Sequence, residues 1–365
     1  MWLYSDYIRV KSDLVDVYSQ EQDKENPHRW KGFIPHEDFY RLLTNVLDTS
    51  ERKKGQQKSI WMHGPYGTGK TFAAFVLKHL LEDPIDDVRE YLEQHDLTRN
   101  LWPRLKNLRE KGPYLVIYKS SSAHVTSSIR LFAEIEEAIK AKLLEQGYKH
   151  GFEHACLDTV LEVLEGPKST FDWKKAFELH RYDRFEEFLS PEEVVKAMKK
   201  GDTSVAERVA QLLDEEGFVR LNDPDKVKEG IEEVIKRNNL QGIFFIWDEF
   251  TDFFMNNIKL SDIQELAHAS ASIPWYMVLV THKSPDILSR DQETMNKVLE
   301  RFHRLHLELR RVTAYQLAAN AFYVEENLKD DWESKRETLW GQVQLAHLVS
   351  CLLYTSDAAD ELDGV

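Results

Sequence analysis

Apolar residues along the chain fall into short continuous runs separated by longer stretches with helical spacing. Short runs rich in β-branched and aromatic residues are typical of strands buried in a sheet. The predicted strands lie at residues 59–63, 114–119, 242–249, 274–282 and 303–309, the last with an alternating pattern. Predicted helices lie before, between and after them, at about 36–47, 72–81, 291–302 and from 312 onwards. Strands that alternate with helices predict an α/β fold, in which a parallel sheet is flanked by helices.

The stretch from 123 to 240 differs because it contains helical patterns and no strand-like run. An amphipathic pattern at 129–144 is followed by others at about 156–164, 171–179, 191–199, 203–215 and 225–238. Glycines at positions 147, 166, 201 and 217 stand where helix C-caps are expected. No convincing internal repeat is visible. We therefore expect a large all-helical insertion that packs on itself or on its neighbours, rather than an independent catalytic unit.

A glycine-rich segment joins the first predicted strand to the helix at 72–81. Its sequence, Gly64-Pro65-Tyr66-Gly67-Thr68-Gly69-Lys70-Thr71, fits the phosphate-binding pattern G-x-x-x-x-G-K-[ST]. A strand that enters such a loop before a helix N-terminus makes an anion site, because loop amides and helix dipole both favour negative charge. Lys70 can reach the β- and γ-phosphates, and the Thr71 hydroxyl can ligate Mg²⁺. The alternative is a glycine turn that binds no ligand. The candidate nucleotide-binding residues are Gly64, Pro65, Tyr66, Gly67, Thr68, Gly69, Lys70, Thr71 and Phe72.

Two carboxylates end the most apolar predicted strand, at Asp248 and Glu249. An almost fully apolar run suits a strand with helices on both faces, and ligands bind at the carboxyl ends of such strands. Asp248 is placed to hold the Mg²⁺ shell through water, and Glu249 to orient and polarise an attacking water. By itself a carboxylate pair at the start of a loop is common. Together with the phosphate loop it predicts a catalytic pair.

Composition narrows the class of protein. The chain has 365 residues, of which 42% are apolar and 30% charged, and its net charge is −15. This charge argues against a protein that coats nucleic acid, although it does not exclude a local basic groove. No apolar run has the roughly 20 residues of a membrane span, and the first residues lack the layout of a signal peptide. The two cysteines, Cys156 and Cys351, match no metal or redox spacing. We therefore expect a globular protein of the reducing cytoplasm.

The order of these elements resembles the ATPase core of AAA+ proteins over about residues 30–310. The resemblance implies a P-loop NTPase sheet, ATP and Mg²⁺ as cofactors, and assembly into a homo-oligomer. In that family a polar residue at the tip of the strand after the Asp-Glu strand contacts the γ-phosphate. Thr281 has that place here, with His282 beside it. The family also inserts an arginine from the end of the next helix into a neighbouring subunit's nucleotide, and Arg301 matches that position. The alternative for Arg301 is a structural arginine at a helix end.

A narrower resemblance concerns the loop sequence together with the Phe33-Ile34-Pro35 segment. This combination is similar to the large ATPases of bacterial phage-defence islands, including the BREX type. The large helical insertion departs from compact AAA+ members.

The expected domain organisation follows from these assignments. We expect a lead-in at 1–57, which begins with a polar surface segment up to about residue 31. An ATPase core at 58–310 follows, interrupted by the insertion at 123–240, and the start of a helical lid at 311–350. Residues 351–361 resemble the conceptual translation of a sequencing adaptor, so we expect 351–365 to be non-native and the lid to be truncated near residue 350.

Three functions are compatible with these motifs. The first is an ATPase that remodels or assembles a partner, in a phage-defence or DNA-transaction machine, and Glu249 favours it. The second is a nucleotide-gated signalling switch of the STAND-like kind, which hydrolyses slowly. The third, a small-molecule phosphotransferase, is disfavoured because the chain shows no arginine-rich substrate lid. No nucleic-acid or peptide-binding module stands out, so the sequence does not decide whether the partner is a protein or DNA.

Overall fold

The computed structural model describes residues 3–10, 18–148, 156–166, 169–200, 202–216, 224–255, 260–289 and 291–342. The expected non-native tail at 351–365 lies outside the described residues. The chain divides into two compact units, one formed by Tyr18–Leu309 and the other by Met1–Val17 with Arg310–Val365. Most of the expected lead-in therefore lies in the unit that holds the sheet, and only its first part groups with the C-terminal segment.

A parallel sheet of five strands forms the centre of the larger unit. The strands of the chain are β1 (Ile8–Val10), β2 (Ser59–His63), β3 (Tyr114–Ser120), β4 (Gly242–Asp248), β5 (Trp275–Thr281), β6 (Phe302–His306) and β7 (Phe322–Val324). The sheet has the order β3-β4-β5-β2-β6, and each neighbouring pair is parallel. All five strands therefore end at one edge, as predicted. Two predicted boundaries are wrong, because Phe302 opens β6 rather than closing a helix and β6 ends at His306 rather than at 309.

Helices cover both faces of this sheet. The helices are α1 (Gln20–Glu25), α2 (Glu37–Ser50), α3 (Lys70–Glu82), α4 (Ile85–Gln94), α5 (Trp102–Glu110), α6 (Ser128–Glu145), α7 (Cys156–Glu165), α8 (Trp173–Arg184), α9 (Pro191–Lys199), α10 (Thr203–Glu215), α11 (Pro224–Arg237), α12 (Leu260–His268), α13 (Gln292–Leu299), α14 (Arg311–Ala321) and α15 (Lys329–Gln342). Short 3-10 turns occur at Tyr4–Asp6, Arg29–Gly32, Arg99–Leu101, Phe250–Met255, Ala269–Ala271, Pro285–Ile287 and Glu326–Leu328. On one face α2 and α3 contact the strands, and on the other a continuous core joins the strands to α6, α11, α12 and α13. The predicted α/β fold with helices on both faces is confirmed.

The helical insertion has two parts that play different roles. Its first and last helices, α6 and α11, belong to the core that covers the sheet. The helices between them, α7 to α10, enclose a core of their own, in which Phe177 and Phe185 are fully buried. We call α7 to α10 the satellite bundle. Burying an aromatic side chain of this size is worth roughly 3–5 kcal/mol against truncation to alanine, so the satellite bundle has a stabilising centre independent of the sheet.

The N-terminal part of the larger unit is not the surface segment that its polar composition predicts. Tyr18 and Trp30 are buried, and so is the carboxylate of Asp23. Asp23 accepts hydrogen bonds from the Tyr18 hydroxyl (2.7 Å), from Lys78 Nζ (2.6 Å) and from His79 Nε2 (2.6 Å). The prediction fails here because a buried carboxylate needs cationic partners, and these come from α3, far along the chain.

The smaller unit contains a two-stranded antiparallel sheet that the pattern did not predict. Strand β1 pairs with β7, with Ile8 opposite Val324. Tyr7 donates its hydroxyl to Asp331 Oδ2 at 2.8 Å, and its ring lies 5.8 Å from that of Trp332. The expected helical lid is helical in α14 and α15 but also contributes this strand. Within the residues that the structure describes, no helix is both long and apolar enough to cross a membrane.

Candidate nucleotide-binding site

The phosphate loop leaves the carboxyl end of β2 and enters the first turn of α3. Two glycines are required by its backbone. A Cβ atom on Gly64 would lie 2.1 Å from the carbonyl oxygen of Leu307, which follows β6, so only glycine allows this approach. Gly69 has a φ of 80° and is the N-cap residue of α3, a left-handed conformation that glycine adopts without a Cβ penalty. The loop therefore has the strand–loop–helix setting that the motif requires.

Lys70, the motif lysine, is buried inside the loop. Its Nζ donates to the carbonyl oxygens of Gly64 and Pro65, both at 2.6 Å. Burial lowers the pKa of Lys70 to about 8, although the charge of Asp248 acts in the opposite direction. The loop thus holds a partly desolvated cation, and a phosphate that approaches it competes with two carbonyl oxygens for the same protons.

Thr71 and Asp248 meet at the carboxyl edge of the sheet. Thr71 Oγ1 donates to Asp248 Oδ2 at 2.6 Å, although the two residues are 177 positions apart. The same oxygen accepts from the Tyr118 hydroxyl at 2.9 Å, and Asp248 Oδ1 accepts from the backbone N–H of Glu249 at 2.8 Å. Asp248 is only 4% exposed. A hydroxyl and a carboxylate at this distance are oxygen donors of the kind that Mg²⁺ takes beside phosphate oxygens, so the pair fits a Mg²⁺–nucleotide complex.

Glu249 stands beside this pair in an unusual backbone conformation. Its φ is 54°, a left-handed value that costs a non-glycine residue roughly 1–3 kcal/mol and that clusters at functional sites. Ser122 helps to hold it, because its Oγ donates to the carbonyl oxygen of Glu249 (3.2 Å) and accepts from the N–H of Phe253 (2.9 Å). Burial, with the charges of Asp248 and Asp252, raises the pKa of Glu249. A raised pKa makes the carboxylate a stronger base.

Thr281 ends β5 next to the loop, and its hydroxyl is already engaged. The side chain is fully buried. Its Oγ1 accepts from the indole N–H of Trp61 (3.0 Å) and donates to the carbonyl oxygen of Lys283 (2.8 Å). Its own carbonyl accepts from the N–H of Gly64 (3.3 Å). Thr281 therefore holds the start of the loop through its backbone carbonyl. Contact of its hydroxyl with the γ-phosphate remains a prediction, and it would require the bonds to Trp61 and Lys283 to change.

Arg301 lies at the opposite edge of the sheet. Its carbonyl accepts from the N–H of Ser59, the first residue of β2, whereas the phosphate loop starts after the last. Five residues of strand separate the two edges, which is roughly 15 Å. Among the described residues the Nε of Arg301 is buried and has no hydrogen-bond partner. Arg301 is therefore not brought together with the other candidates of its own chain, and its assignment to a neighbouring site stays a prediction.

The structure adds residues to the site that the motifs did not indicate. Tyr118 and Ser122 contact the carboxylate pair because β3 lies beside β4, and no local pattern reveals that register. Phe72 does not face the carboxylates. Its ring stacks on Tyr18 with 4.3 Å between centroids and packs on Phe33 at 5.1 Å. This contact was not predicted from the sequence analysis.

Comparisons with known proteins add little to this geometry. No protein-family model matches the chain, and no curated protein does. Among solved structures, the chain is similar to the Aeropyrum pernix ORC1 protein in complex with DNA, with 14% sequence identity and a TM-score of 0.36. The similarity covers 88% of this chain and 56% of that one, so the chain spans little more than half of the length of that protein. The fold assignment rests on the order and direction of the strands.

Proposed function

We propose that the chain binds ATP with Mg²⁺ at the phosphate loop and hydrolyses it, as a P-loop ATPase of the AAA+ kind. The observation that carries the proposal is the 2.6 Å contact between Thr71 and Asp248. It joins the end of the glycine loop to the end of the apolar strand, where one metal ion can reach both oxygens. The glycine loop and the Asp248–Glu249 pair are separate motifs, and either can occur without the other. Their proximity in the folded chain therefore supports a common site.

Each side chain has a separate role in this proposal. Lys70 binds the β- and γ-phosphates, while Thr71 and Asp248 hold the metal ion, directly or through water. Held by Thr71 and Asp248, Mg²⁺ would neutralise charge on the phosphates. Glu249 orients the attacking water and takes its proton. The loop amides from Gly64 to Phe72 surround the phosphates, since the N-terminus of α3 favours negative charge.

The first test replaces the lysine. Lys70→Ala should reduce ATP binding below detection in a titration with a fluorescent ATP analogue, because it removes the cation that faces the phosphates. Lys175→Ala, which removes an exposed lysine of the satellite bundle, is the matched control and should bind as the wild type does. Equal affinity of Lys70→Ala and the wild type would refute a phosphate-binding role for this loop.

A second candidate function is the nucleotide-gated switch, and the contacts of Thr281 favour it. Its hydroxyl hydrogen is donated to a backbone carbonyl rather than directed at the loop. A site in which that group does not reach the γ-phosphate would bind ATP and hydrolyse it slowly. The turnover number separates the two candidates, since a remodelling ATPase completes many cycles per minute and a switch few.

The energy of ATP hydrolysis needs a task in the cell. We propose that the protein acts as a homo-oligomer that remodels or assembles a partner, protein or DNA, in a phage-defence or DNA-transaction machine of the cytoplasm. The resemblance of its motifs to AAA+ ATPases supports this. Measuring ATP turnover with and without DNA tests the DNA partner first.

A further inference from the structure

The satellite bundle carries a group of large apolar side chains that face water. Leu179 and Tyr182 on α8, and Leu189 in the loop after it, are 70%, 82% and 74% exposed. In the part of the chain that the structure describes, six large apolar side chains are at least 70% exposed, and these are three of them. The opposite face of α8 is used, because Phe177 is buried in the core of the bundle. Exposed apolar residues that are grouped mark a contact surface, whereas single ones need no explanation.

Leu179 and Tyr182 lie on a stripe of α8 that has a charge at each end. Positions 175, 179, 182 and 186 are spaced four, three and four residues apart, a spacing that follows one face of a helix. Lys175 is the third residue of α8, and Glu186 lies in the turn directly after the helix ends. All four side chains are exposed. We call Lys175, Leu179, Tyr182 and Glu186 the α8 stripe.

The two charges of the α8 stripe are not used within the bundle. Among the described residues, neither the ammonium of Lys175 nor the carboxylate of Glu186 has an ion pair or a hydrogen bond. The adjacent Lys174, by contrast, pairs with Glu192 at 3.9 Å. The stripe therefore presents a free positive charge, an apolar centre and a free negative charge, in that order.

This order fits a second copy of the same stripe that runs in the opposite direction. In a two-fold symmetric contact, residue i of one copy faces residue j of the other, and the reverse. With the axis between Leu179 and Tyr182, each leucine faces a tyrosine ring of the other copy. Lys175 then faces Glu186 at both ends. Parallel stripes would instead bring like charges together.

Glu178 and Arg181 repeat this arrangement beside the stripe. Helical spacing places both on the same flank of α8, one on each side of the two-fold axis. Glu178 is exposed, and the guanidinium of Arg181 lies 5.7 Å from the centroid of the Tyr182 ring. In the antiparallel pair, Glu178 faces Arg181 of the other copy. A second copy therefore supplies an opposite charge for each charged residue of this surface.

We propose that the α8 stripe binds a second copy of this chain, in an antiparallel two-fold pair of α8 helices. The pair involves no residue of the nucleotide site, so it does not depend on the proposed function, and substitutions in the stripe should not change the ATP affinity. Two leucines and two tyrosines with flanking charges bury less than the roughly 1,200 Å² at which stable interfaces begin. We therefore expect a weak dimer, with a dissociation constant of roughly 10–100 µM.

Charge exchange tests the contact. Sedimentation velocity of the full chain without nucleotide, from about 1 to 300 µM, should show wild-type dimers that form as the concentration rises. Lys175→Glu and Glu186→Lys each place like charges at both ends of the pair and should weaken the dimer roughly 10- to 30-fold. The double variant, with both substitutions, exchanges the two charges and should restore the wild-type dimer.

The same bundle supplies matched controls. Lys200→Glu and Glu216→Lys reverse exposed charges away from the stripe and should leave the dimer unchanged. Thermal melts check that every variant is folded. A wild type that stays monomeric would leave the stripe to an unrelated partner and overturn the inference. Single variants that associate as the wild type does, or a double variant that stays as weak as the single ones, would overturn it as well.

Cross-linking tests the direction of the helices. In a background with Cys156→Ser and Cys351→Ser, a mixture of Lys175→Cys and Glu186→Cys chains should cross-link through a short bismaleimide. Neither variant alone should do so, because roughly 16 Å along the helix separates equal residues across the axis. Cross-links that form equally well in each variant alone would contradict the antiparallel pair.

Discussion

Glu249 is the residue at which backbone strain and proposed chemistry coincide. Its left-handed φ is held by Ser122 on one side and by Asp248 on the other. The backbone bonds fix where the side chain begins and leave the carboxylate free to act. A substitution that keeps the shape of the side chain should therefore change chemistry without changing the fold.

Glu249→Gln should leave ATP affinity within a few-fold and lower the hydrolysis rate by roughly 10²- to 10⁴-fold. The amide is isosteric with the carboxylate but cannot take a proton from water, which removes a general-base contribution of that size. Steady-state phosphate release and nucleotide titration measure the two effects. Glu186→Gln, at an exposed position in the satellite bundle, is the control. Unchanged turnover in Glu249→Gln would mean that another residue activates the water, and the switch function would be favoured.

The candidate site could be predicted from sequence where its residues are neighbours in the chain. The loop from Gly64 to Thr71 and the Asp248–Glu249 pair are local patterns, and the structure brings them together. Tyr118 and Ser122 could not be found in this way. Their contacts with the carboxylate pair depend on the pairing of β3 with β4, which has no signature in spacing.

Helix α3 carries a local motif at its start and, near its end, a cluster formed with residues distant in the chain. Its N-terminus carries the phosphate loop, and its last turn carries His79, whose ring nitrogens lie 2.6 Å from Asp23 and 2.9 Å from Asp83. Burial acts to lower the pKa of His79, but the hydrogen bonds to the two carboxylates outweigh it and the pKa is raised. Burial acts to raise the pKa of Asp23, yet the bonds from His79, Lys78 and Tyr18 hold it below its usual range. This cluster links α1 to the C-terminal part of α3.

The stability of this cluster should depend on pH in two directions. His79 has a raised pKa in the folded protein, so its contribution is complete below the unfolded value near 6.5 and is lost as pH rises through the folded value. Asp23 has a lowered pKa, so its contribution is present above the unfolded value near 4 and is lost as pH falls. Thermal unfolding between pH 4 and 9 should therefore show greatest stability of the larger unit at about pH 5 to 6.5.

Asp23→Asn should remove the acid part of this dependence and weaken the alkaline part, since His79 keeps only Asp83 as a carboxylate partner. It should destabilise the larger unit by roughly 3–5 kcal/mol, because it leaves the His79 cation with one partner fewer in a buried place. Denaturant unfolding at pH 6 measures the loss. Asp225→Asn, on the insertion helix α11, provides the matched control. A pH profile that stays the same in Asp23→Asn would show that the cluster does not set the stability of this unit.

Most elements of the fold could be predicted because their periodicity is strong. The helices of the insertion begin and end within a few residues of their predicted bounds, and the sheet strands are equally well placed. The failures have one cause in common. Asp23 in α1 and the pairing of β1 with β7 are decided by partners dozens to hundreds of residues away, and polar or very short segments carry no pattern that indicates such partners.

At the scale of the whole molecule, the position of Arg301 bears on whether the chain acts as an oligomer. It lies roughly 15 Å from the phosphate loop of its own chain, at the other edge of the sheet. An arginine there can stabilise a transition state only in another copy. If it does, a competent site exists between subunits, and specific activity should rise with protein concentration.

Mixing Arg301→Ala with Lys70→Ala should restore turnover that each variant lacks alone, since one copy supplies an intact loop and the other an intact arginine. Arginine fingers contribute roughly 10³ to 10⁵ in rate, so even a small share of mixed pairs is measurable. Light scattering should first confirm the oligomer. Wild-type turnover of Arg301→Ala in such an oligomer would mean that the arginine is a structural residue of the helix end.

The bonds that Lys70 and Thr71 make in the structure also bear on the order of ligand binding. Nucleotide phosphates compete for Lys70 with the carbonyls of Gly64 and Pro65, while a metal ion competes for Asp248 with the hydroxyl of Thr71. These two sets of bonds share no atom, so neither ligand alone frees the groups that bind the other. Coupling would come instead from the attraction between Mg²⁺ and the phosphates in a common site. Metal and nucleotide should therefore bind with positive cooperativity, each raising the affinity for the other by the same factor.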